Sequence, residues 1–487
     1  MKVQLVFAPS IYSSGMELLG ENTWPPMGVL YLASYLRLRM PNLEIRVTDG
    51  CRIGLDRTIA EIAAFRPDVL GISFYTTQAL GAAKLARDAR AAQPGALVVL
   101  GGPHATALPL ETLRQSGADL VVVGEGEETF HQIVRTAAVG RDPEAFRHLR
   151  GVWSIGKDAS GGEIVFRNDP APFITPLEGI PFPARDLVRL DDYRGWFISK
   201  QIPQTTMLFA RGCPFRCTYC ANGIWRTSAP LLRSRSPKDV VDEMEYLSRE
   251  LGFREIYDQA DEFNHSLPHA LELCGEIERR GIGVTWQVSL RARPFSEELA
   301  RRMAEAGCWC VSLGVESANE ETLRGIKKQI SLADVENTCR ALRKYGIKVR
   351  AHFMLYNVWE EDGSLRFEDS RMSGNTLAYA DRLFREGLIQ YITWSVTTPY
   401  PGSELYEIAV RHGLIRADCC GQWDAWLQKE TFIMDLPGIS RKEMSKVKNR
   451  GEVLRIRCML RNRDYRWKDI PLILKRGLMA SWKMLSA

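Results

Sequence analysis

Arg211-Gly212-Cys213-Pro214-Phe215-Arg216-Cys217-Thr218-Tyr219-Cys220 is the stretch that decides how the chain is read. Its cysteines are spaced CxxxCxxC, and no Cys or His occurs in the forty residues that follow. Three thiolates can hold three irons of a 4Fe-4S cluster and leave the fourth iron open to a substrate, whereas four ligands make a plain electron carrier. Zinc is the alternative, but it would want a fourth Cys or His at short spacing. A disulfide would suit an oxidised, secreted protein. The opening Met1-Lys2-Val3-Gln4-Leu5-Val6-Phe7-Ala8-Pro9 is too short and too soon broken for a signal peptide and reads as a buried first strand. The chain has eleven cysteines, scattered apart from this cluster, which suits a reducing, cytoplasmic setting.

The cysteine loop is entered from an apolar stretch, Thr205–Phe209, and strand and helix alternate after it. Strands are expected at Glu255–Tyr257, Val284–Val288, Cys310–Gly314, Lys348–Leu355 and Ile389–Val396. Helices are expected at Pro237–Leu251 (with Ser236 as N-cap), Leu267–Arg280, Ser296–Ala306, Leu332–Tyr345 and Gly374–Glu386. Repeated βα units predict a full or partial (β/α) barrel over 201–415, with active groups at the strand C-termini.

Residues 1–140 show the same rhythm. Apolar runs at Lys2–Phe7, Leu43–Val47, Val69–Phe74, Leu97–Leu100 and Leu120–Val123 alternate with helical stretches such as Val29–Leu36 and Ala79–Ala92. This predicts a Rossmann-like parallel sheet covered on both faces, with its ligand at the strand ends. Glycines stand at two of those ends, in Gly101-Gly102-Pro103-His104-Ala105-Thr106 and in Gly124-Glu125-Gly126-Glu127. Neither is a GxGxxG, so a dinucleotide is a poor fit. Residues 141–200 read as a linker, with a hairpin turn at Asp158-Ala159-Ser160-Gly161-Gly162 and a run of prolines.

The overall charge of +5 is unevenly placed. Residues 441–487 carry fourteen Lys/Arg against four Asp/Glu, so the basic character belongs to a helical C-terminal region, 416–487. Leu474, Leu478, Trp482 and Leu485 fall at helical spacing among these cations. The region reads as a helix packed on the barrel; the sharper alternative is a membrane-surface helix presenting a lipid-like substrate. No nucleic-acid recognition motif is present, and no apolar run is long enough to span a bilayer.

With an aromatic residue before its last cysteine, the motif resembles the signature of the radical S-adenosylmethionine (radical SAM) enzymes. The first 140 residues resemble the cobalamin-binding domains attached to some of them. Ser73-Phe74-Tyr75 and Gly101-Gly102 match the later half of a cobalamin fingerprint, and Pro25-Pro26-Met27-Gly28 and the Gly-Glu-Gly-Glu turn fit the same picture. The resemblance implies a 4Fe-4S cluster on Cys213, Cys217 and Cys220. It implies S-adenosylmethionine contacts from Tyr219, Asp261, Ser289, Arg291 and Glu316. It also implies cobalamin contacts from Ser73, Thr76, Gly101, Gly102, His104, Gly124, Glu125 and Gly126. Two departures stand out. Where two Asp are usual, Ala260 precedes Asp261. The DxHxxG that supplies a lower cobalt ligand is missing; Asp49-Gly50-Cys51-Arg52-Ile53-Gly54 has its outline with Cys for His, but after the second strand rather than the first. His352 reads as a core histidine, with a place on the substrate cavity as the alternative, and Tyr356, Asn357 and Trp359 as shapers of a pocket. The implied activity is radical methylation of an unactivated carbon of a natural-product or lipid-like small molecule, through a 5′-deoxyadenosyl radical and methylcobalamin. Electrons would come from a flavodoxin- or ferredoxin-type protein. The alternatives are oxidative cyclisation or ring rearrangement without methyl transfer, and a non-catalytic cobalamin sensor or carrier.

Overall fold

The computed structural model describes residues 1–10, 24–193, 198–427 and 431–462. Seven strands form the first sheet: β1 (Lys2–Phe7), β2 (Glu44–Asp49), β3 (Val69–Ser73), β4 (Leu97–Gly101), β5 (Leu120–Val122), β6 (Val152–Lys157) and β7 (Glu163–Arg167), in the order β2-β1-β3-β4-β5-β6-β7. The first five are parallel; β6 and β7 add antiparallel strands at one edge, so the hairpin within 141–200 extends the sheet. Val3, Leu5, Val99 and Val122 point to one face, under helices Met27–Arg39 and Glu127–Val139. Val6, Leu70, Val98 and Val121 point to the other, under Leu55–Phe65, Ala79–Ala92 and Pro109–Ser116. A sheet apolar on both faces is what near-continuous Val/Leu/Ile strands require. Strand order reverses between β1 and β3, which opens a crevice at their carboxyl ends.

The second sheet contains β8 (Gln204–Met207), β11 (Glu255–Asp258), β12 (Thr285–Leu290), β13 (Cys308–Glu316), β14 (Lys348–Leu355) and β17 (Tyr391–Val396). All six are parallel and lie in chain order, with β8 and β17 at the edges, so the barrel is partial rather than closed. A two-residue antiparallel pair, β9 (Ala210–Arg211) with β10 (Arg233–Ser234), brackets the cysteine loop. A hairpin absent from the sequence expectation, β15 (Val358–Glu361) with β16 (Ser364–Phe367), follows β14.

The two faces of this sheet differ. Ile256, Trp286, Val288, Val311, Val349 and Ile392 pack under the helices in the largest apolar cluster. The opposite face is polar. Low in the barrel, Arg350 donates to Ser312 Oγ (3.2 Å) and Gln287 Oε1 (2.8 Å), and Gln287 donates to Glu255 Oε1 (2.6 Å), all buried. One layer up on the same face, Ser289, His352 and Thr393 are only half-buried.

Beyond the barrel the chain returns to the first domain. Trp423, Trp426 and Ile433 join the apolar cluster of its second face, and Asp424 accepts from the Leu80 and Gly81 amides (2.8 and 3.3 Å) at the start of the Ala79–Ala92 helix. Helix Arg441–Asn462 then packs on β17 and on helix Ser370–Arg385, burying Met444, Val447, Leu454 and Cys458. The proposed membrane-facing residues Leu474, Leu478, Trp482 and Leu485 lie outside the described residues. No helix among the described residues is long and apolar enough to cross a membrane.

Candidate functional site

A cavity of about 1060 Å³ opens between the two sheets. Ordinary small-molecule sites run to about 300–1,000 Å³, so this one suits a large ligand. From the first domain it is lined by Ser73, Gly101, Gly102, Gly124, Glu125 and Gly126 at the ends of β3, β4 and β5. Gly71, Val99, Val122, Val29 and Phe130 deepen it into an apolar slot between sheet and helices. Gly102 has φ +98°, and a Cβ there would lie 2.8 Å from Phe74 O and 2.9 Å from Ser73 Oγ. Only glycine keeps this edge of the slot open. From the barrel, Arg211, Gly212, Gln259, Ala260 and Asp261 line the same cavity.

Two residues expected to contact the ligand do not line it. His104 and Thr76 are buried behind the wall, bonded to each other (Nδ1 to Oγ1, 3.2 Å). The His104 ring meets the edge of Trp423 at 5.2 Å, and burial lowers its pKa to about 4. Glu125 does line the cavity, but its carboxylate is committed: Arg233 holds it with both Nη atoms, and Arg211 lies 3.5 Å away. Arg211 also donates to Glu127 (2.7 Å) and stacks over Tyr31 at 5.0 Å. The Gly-Glu-Gly-Glu turn thus ties the first domain to both flanks of the cysteine loop. Cys51 does reach the cavity, because the loop after β2 folds against that after β1: its Sγ donates to Ala8 O (3.1 Å) and accepts from Gln78 (2.8 Å).

The three cysteines are unpaired and half-buried. Among the described residues no three His, Cys, Asp or Glu converge on one point, and a cluster, which takes one thiolate per iron, does not ask them to. Burial pushes the Cys213 thiol up to about 12 and the Cys220 thiol up to about 11, so loading iron must release their protons. Thr218 pins the loop from both sides: its N–H donates to Ile326 O (3.1 Å), and its carbonyl accepts from Leu405 N (2.8 Å).

Charged groups surround this loop. Arg291 lies 3.8 Å over the Phe215 ring and donates from Nη1 to Cys217 Sγ (3.5 Å). Its Nε and Nη2 are buried without a hydrogen-bond partner. Glu262, beside Asp261, is 5% exposed, and its Oε1 is likewise buried and unpartnered. Burial raises its carboxyl to about 7, against the pull of Arg291 and Lys328. Orphaned buried polar atoms are rare and costly. An unsatisfied guanidinium edge and an unsatisfied carboxylate oxygen together suit the carboxylate and ammonium of an amino acid such as the methionyl part of S-adenosylmethionine. Asp261 takes the cavity side instead, within the electrostatic reach of Cys213 and Cys220. Ser289 is half-buried on the polar face of the second sheet and does not line the cavity.

Glu316 ends β13 with φ +68°, a conformation costing a non-glycine residue about 1–3 kcal/mol. Its Oε1 accepts from Tyr219 Oη (2.9 Å) and from Lys328 Nζ (2.8 Å), and Lys328 also donates to Tyr219 Oη (3.2 Å). Lys328 went unnoticed in the sequence because nothing local marks it; its neighbours Lys327 and Gln329 both take left-handed backbone. His352 is half-buried, with Nδ1 2.5 Å from Thr393 Oγ1, and it does not line the cavity between the sheets. Tyr356, Asn357 and Trp359 shape no pocket: all three are buried, and Asn357 bonds the buried Glu368 (3.1 Å).

The B12 binding domain family matches residues 20–134, and the Radical SAM superfamily matches residues 207–363. An uncharacterized methyltransferase of Pyrococcus horikoshii is 30% identical over 85% of this chain and 84% of its own length. An anaerobic magnesium-protoporphyrin IX monomethyl ester cyclase of Rubrivivax gelatinosus is 28% identical over 83% of this chain and 69% of its own. Among solved structures, the radical S-adenosylmethionine methyltransferase TsrM of Kitasatospora setae, with tryptophan and an S-adenosylmethionine analogue bound, shares the fold. Its TM-score is 0.66 at 22% identity, over 85% of this chain and 77% of that one.

Proposed function

Since the chain belongs to the radical SAM enzymes that carry an N-terminal B12-binding domain, we propose that it methylates an unactivated carbon of a small natural-product substrate. The cofactors are a 4Fe-4S cluster, S-adenosylmethionine and cobalamin. Bound together, they supply the electron, the hydrogen-abstracting radical and the methyl carrier that this reaction needs.

The single cavity shared by the strand ends of the first sheet and by Arg211–Gly212 and Gln259–Asp261 of the barrel carries this reading. It brings the cobalamin slot and the Asp261 edge of the S-adenosylmethionine site onto one space. Cys213, Cys217 and Cys220 hold the cluster. Arg291 receives the methionyl carboxylate on its unpartnered Nε and Nη2, and Glu262 the ammonium on Oε1. Tyr219 and Glu316 face the nucleoside. Ser73, Gly101 and Gly102 admit the cobalamin tail to the apolar slot, and Glu125 and Glu127 act through Arg233 and Arg211 by fixing the distance between the domains. Ser289, His352 and Thr393 offer the substrate hydrogen bonds from the polar face of the second sheet, which suits a molecule with polar groups better than a bare lipid. A flavodoxin- or ferredoxin-type donor reaches the loop where Pro214 and Arg216 are exposed.

The test is product analysis with oxygen-free, fully loaded protein, reductant and S-adenosylmethionine. Methylation requires S-adenosylhomocysteine beside 5′-deoxyadenosine. The cyclase relative supports a second reading, oxidative cyclisation, which would yield 5′-deoxyadenosine alone. Failure to cleave S-adenosylmethionine at all would leave only a non-catalytic role.

A further inference from the structure

Among the described residues, Lys328 donates from Nζ to both Glu316 Oε1 and Tyr219 Oη, and it is 6% exposed. Three independent features frame it. Residues on both sides of it, Lys327 and Gln329, hold left-handed backbone at φ +56°, as does Glu316 at φ +68°. Strain of this kind persists only where surrounding contacts over-determine it. The loop is tied to the cysteine loop by the bond from Thr218 N to Ile326 O, and to its own helix by that from Lys328 N to Leu323 O (2.9 Å). Finally, Gly314 leaves space for the pair: a Cβ there would lie 2.6 Å from Lys328 Nζ and 2.7 Å from Glu316 Oε1.

Glu316 spends only Oε1 on these donors, and Oε2 takes none from the described residues. We propose that Lys328 is a positioning residue for S-adenosylmethionine: its ammonium fixes the Glu316 carboxylate and the Tyr219 hydroxyl in one arrangement, turning Glu316 Oε2 toward the hydroxyl or amino donors of the nucleoside. The same ammonium stands in the field of the Cys217 and Cys220 sulfurs and of Glu262. The inference rests on reading Glu316 and Tyr219 as S-adenosylmethionine contacts.

The experiment uses the full chain, loaded with cluster and cobalamin without oxygen, and titrates it with S-adenosylmethionine. Lys328→Met should weaken binding by about ten- to hundredfold, with iron content and cobalamin affinity unchanged. The change that S-adenosylmethionine makes in the paramagnetic resonance spectrum of the reduced cluster should be lost or altered. Gly314→Ala keeps the lysine but puts a methyl group where its ammonium lies, so it should weaken binding in the same direction; it decides the matter if the Lys328 variant does not load. Wild-type affinity and spectrum in a fully loaded Lys328→Met, or in Gly314→Ala where the first does not load, would overturn the proposal. Glu316→Gln separates the two levels. Weakened binding in it beside normal binding in Lys328→Met sinks the lysine alone, while normal binding in both sinks the assignment of Glu316 as well.

Discussion

The first sheet is apolar on both faces, and what it offers a ligand is space: glycines at strand ends and a slot walled by Val, Leu and Phe side chains. The second is apolar on one face only, and what it offers is charge: thiols, Arg291, Glu262, Glu316 and Lys328 beyond a polar face. Cofactor binding on the first side should therefore respond to volume, and on the second to charge and hydrogen bonding. The largest effect should come from the charged side. Cys217→Ala should abolish S-adenosylmethionine cleavage and the cluster's visible absorbance while cobalamin still binds, because two thiolates cannot hold the cluster. Loss of cobalamin in the same variant would break the division of labour.

The volume side is probed next. Gly102→Val places its side chain against Phe74 O and Ser73 Oγ in a backbone conformation that valine resists. Cobalamin affinity should fall at least about a hundredfold, since overpacking costs about 1–3 kcal/mol and lost slot contacts add to it. Iron content should stay at the wild-type value; a parallel fall in both would mean that the two sites are not separable.

Between the sheets lies the ion-pair clamp, where breaking one partner leaves a buried charge. Arg233 is 6% exposed, paired with Glu125 and stacked at 4.3 Å over Phe173. Arg233→Gln should cost about 3–5 kcal/mol and split one calorimetric unfolding transition into two as the domains lose their coupling. A single transition at the wild-type temperature would show that the clamp contributes nothing.

This contrast also explains what could be read from the residues alone. The cysteine loop was legible because covalent spacing survives any packing, and the strands were legible because burial imposes apolar runs: Lys2–Phe7, Lys348–Leu355 and the helices Ala79–Ala92 and Leu267–Arg280 lie where the pattern put them. Roles set by long-range contact were not legible. Glu125 looks like a ligand residue until Arg233, more than a hundred positions away, claims it. Glu262 carries no mark in the sequence beyond its place next to Asp261, and only its stranded Oε1 sets it apart. Trp423 and Asp424, read as part of a basic tail, belong to the wall of the first domain.

His104 gives the smallest and most specific effect. It was read as a cobalamin contact but sits behind the slot, packed by Phe74, Thr76 and Trp423, with burial as the cause of its lowered pKa of about 4. The unfolded chain takes up the proton near the ordinary value of 6.5 and the folded one only near 4, so between these limits the unfolded state binds more protons. Stability therefore falls as pH drops through this window, by about 1.4 kcal/mol per unit once below the upper limit, and is indifferent to His104 above it. His104→Gln keeps a hydrogen-bond partner for Thr76 and removes the titration. Thermal midpoints taken across the window should decline less steeply in that variant than in the wild type. Cobalamin affinity at neutral pH should be nearly unchanged, because the imidazole does not face the slot. Equal slopes would mean that this corner opens before it protonates; a large loss of cobalamin would put His104 back among the ligand contacts and erase the distinction between wall and lining on which the volume side depends.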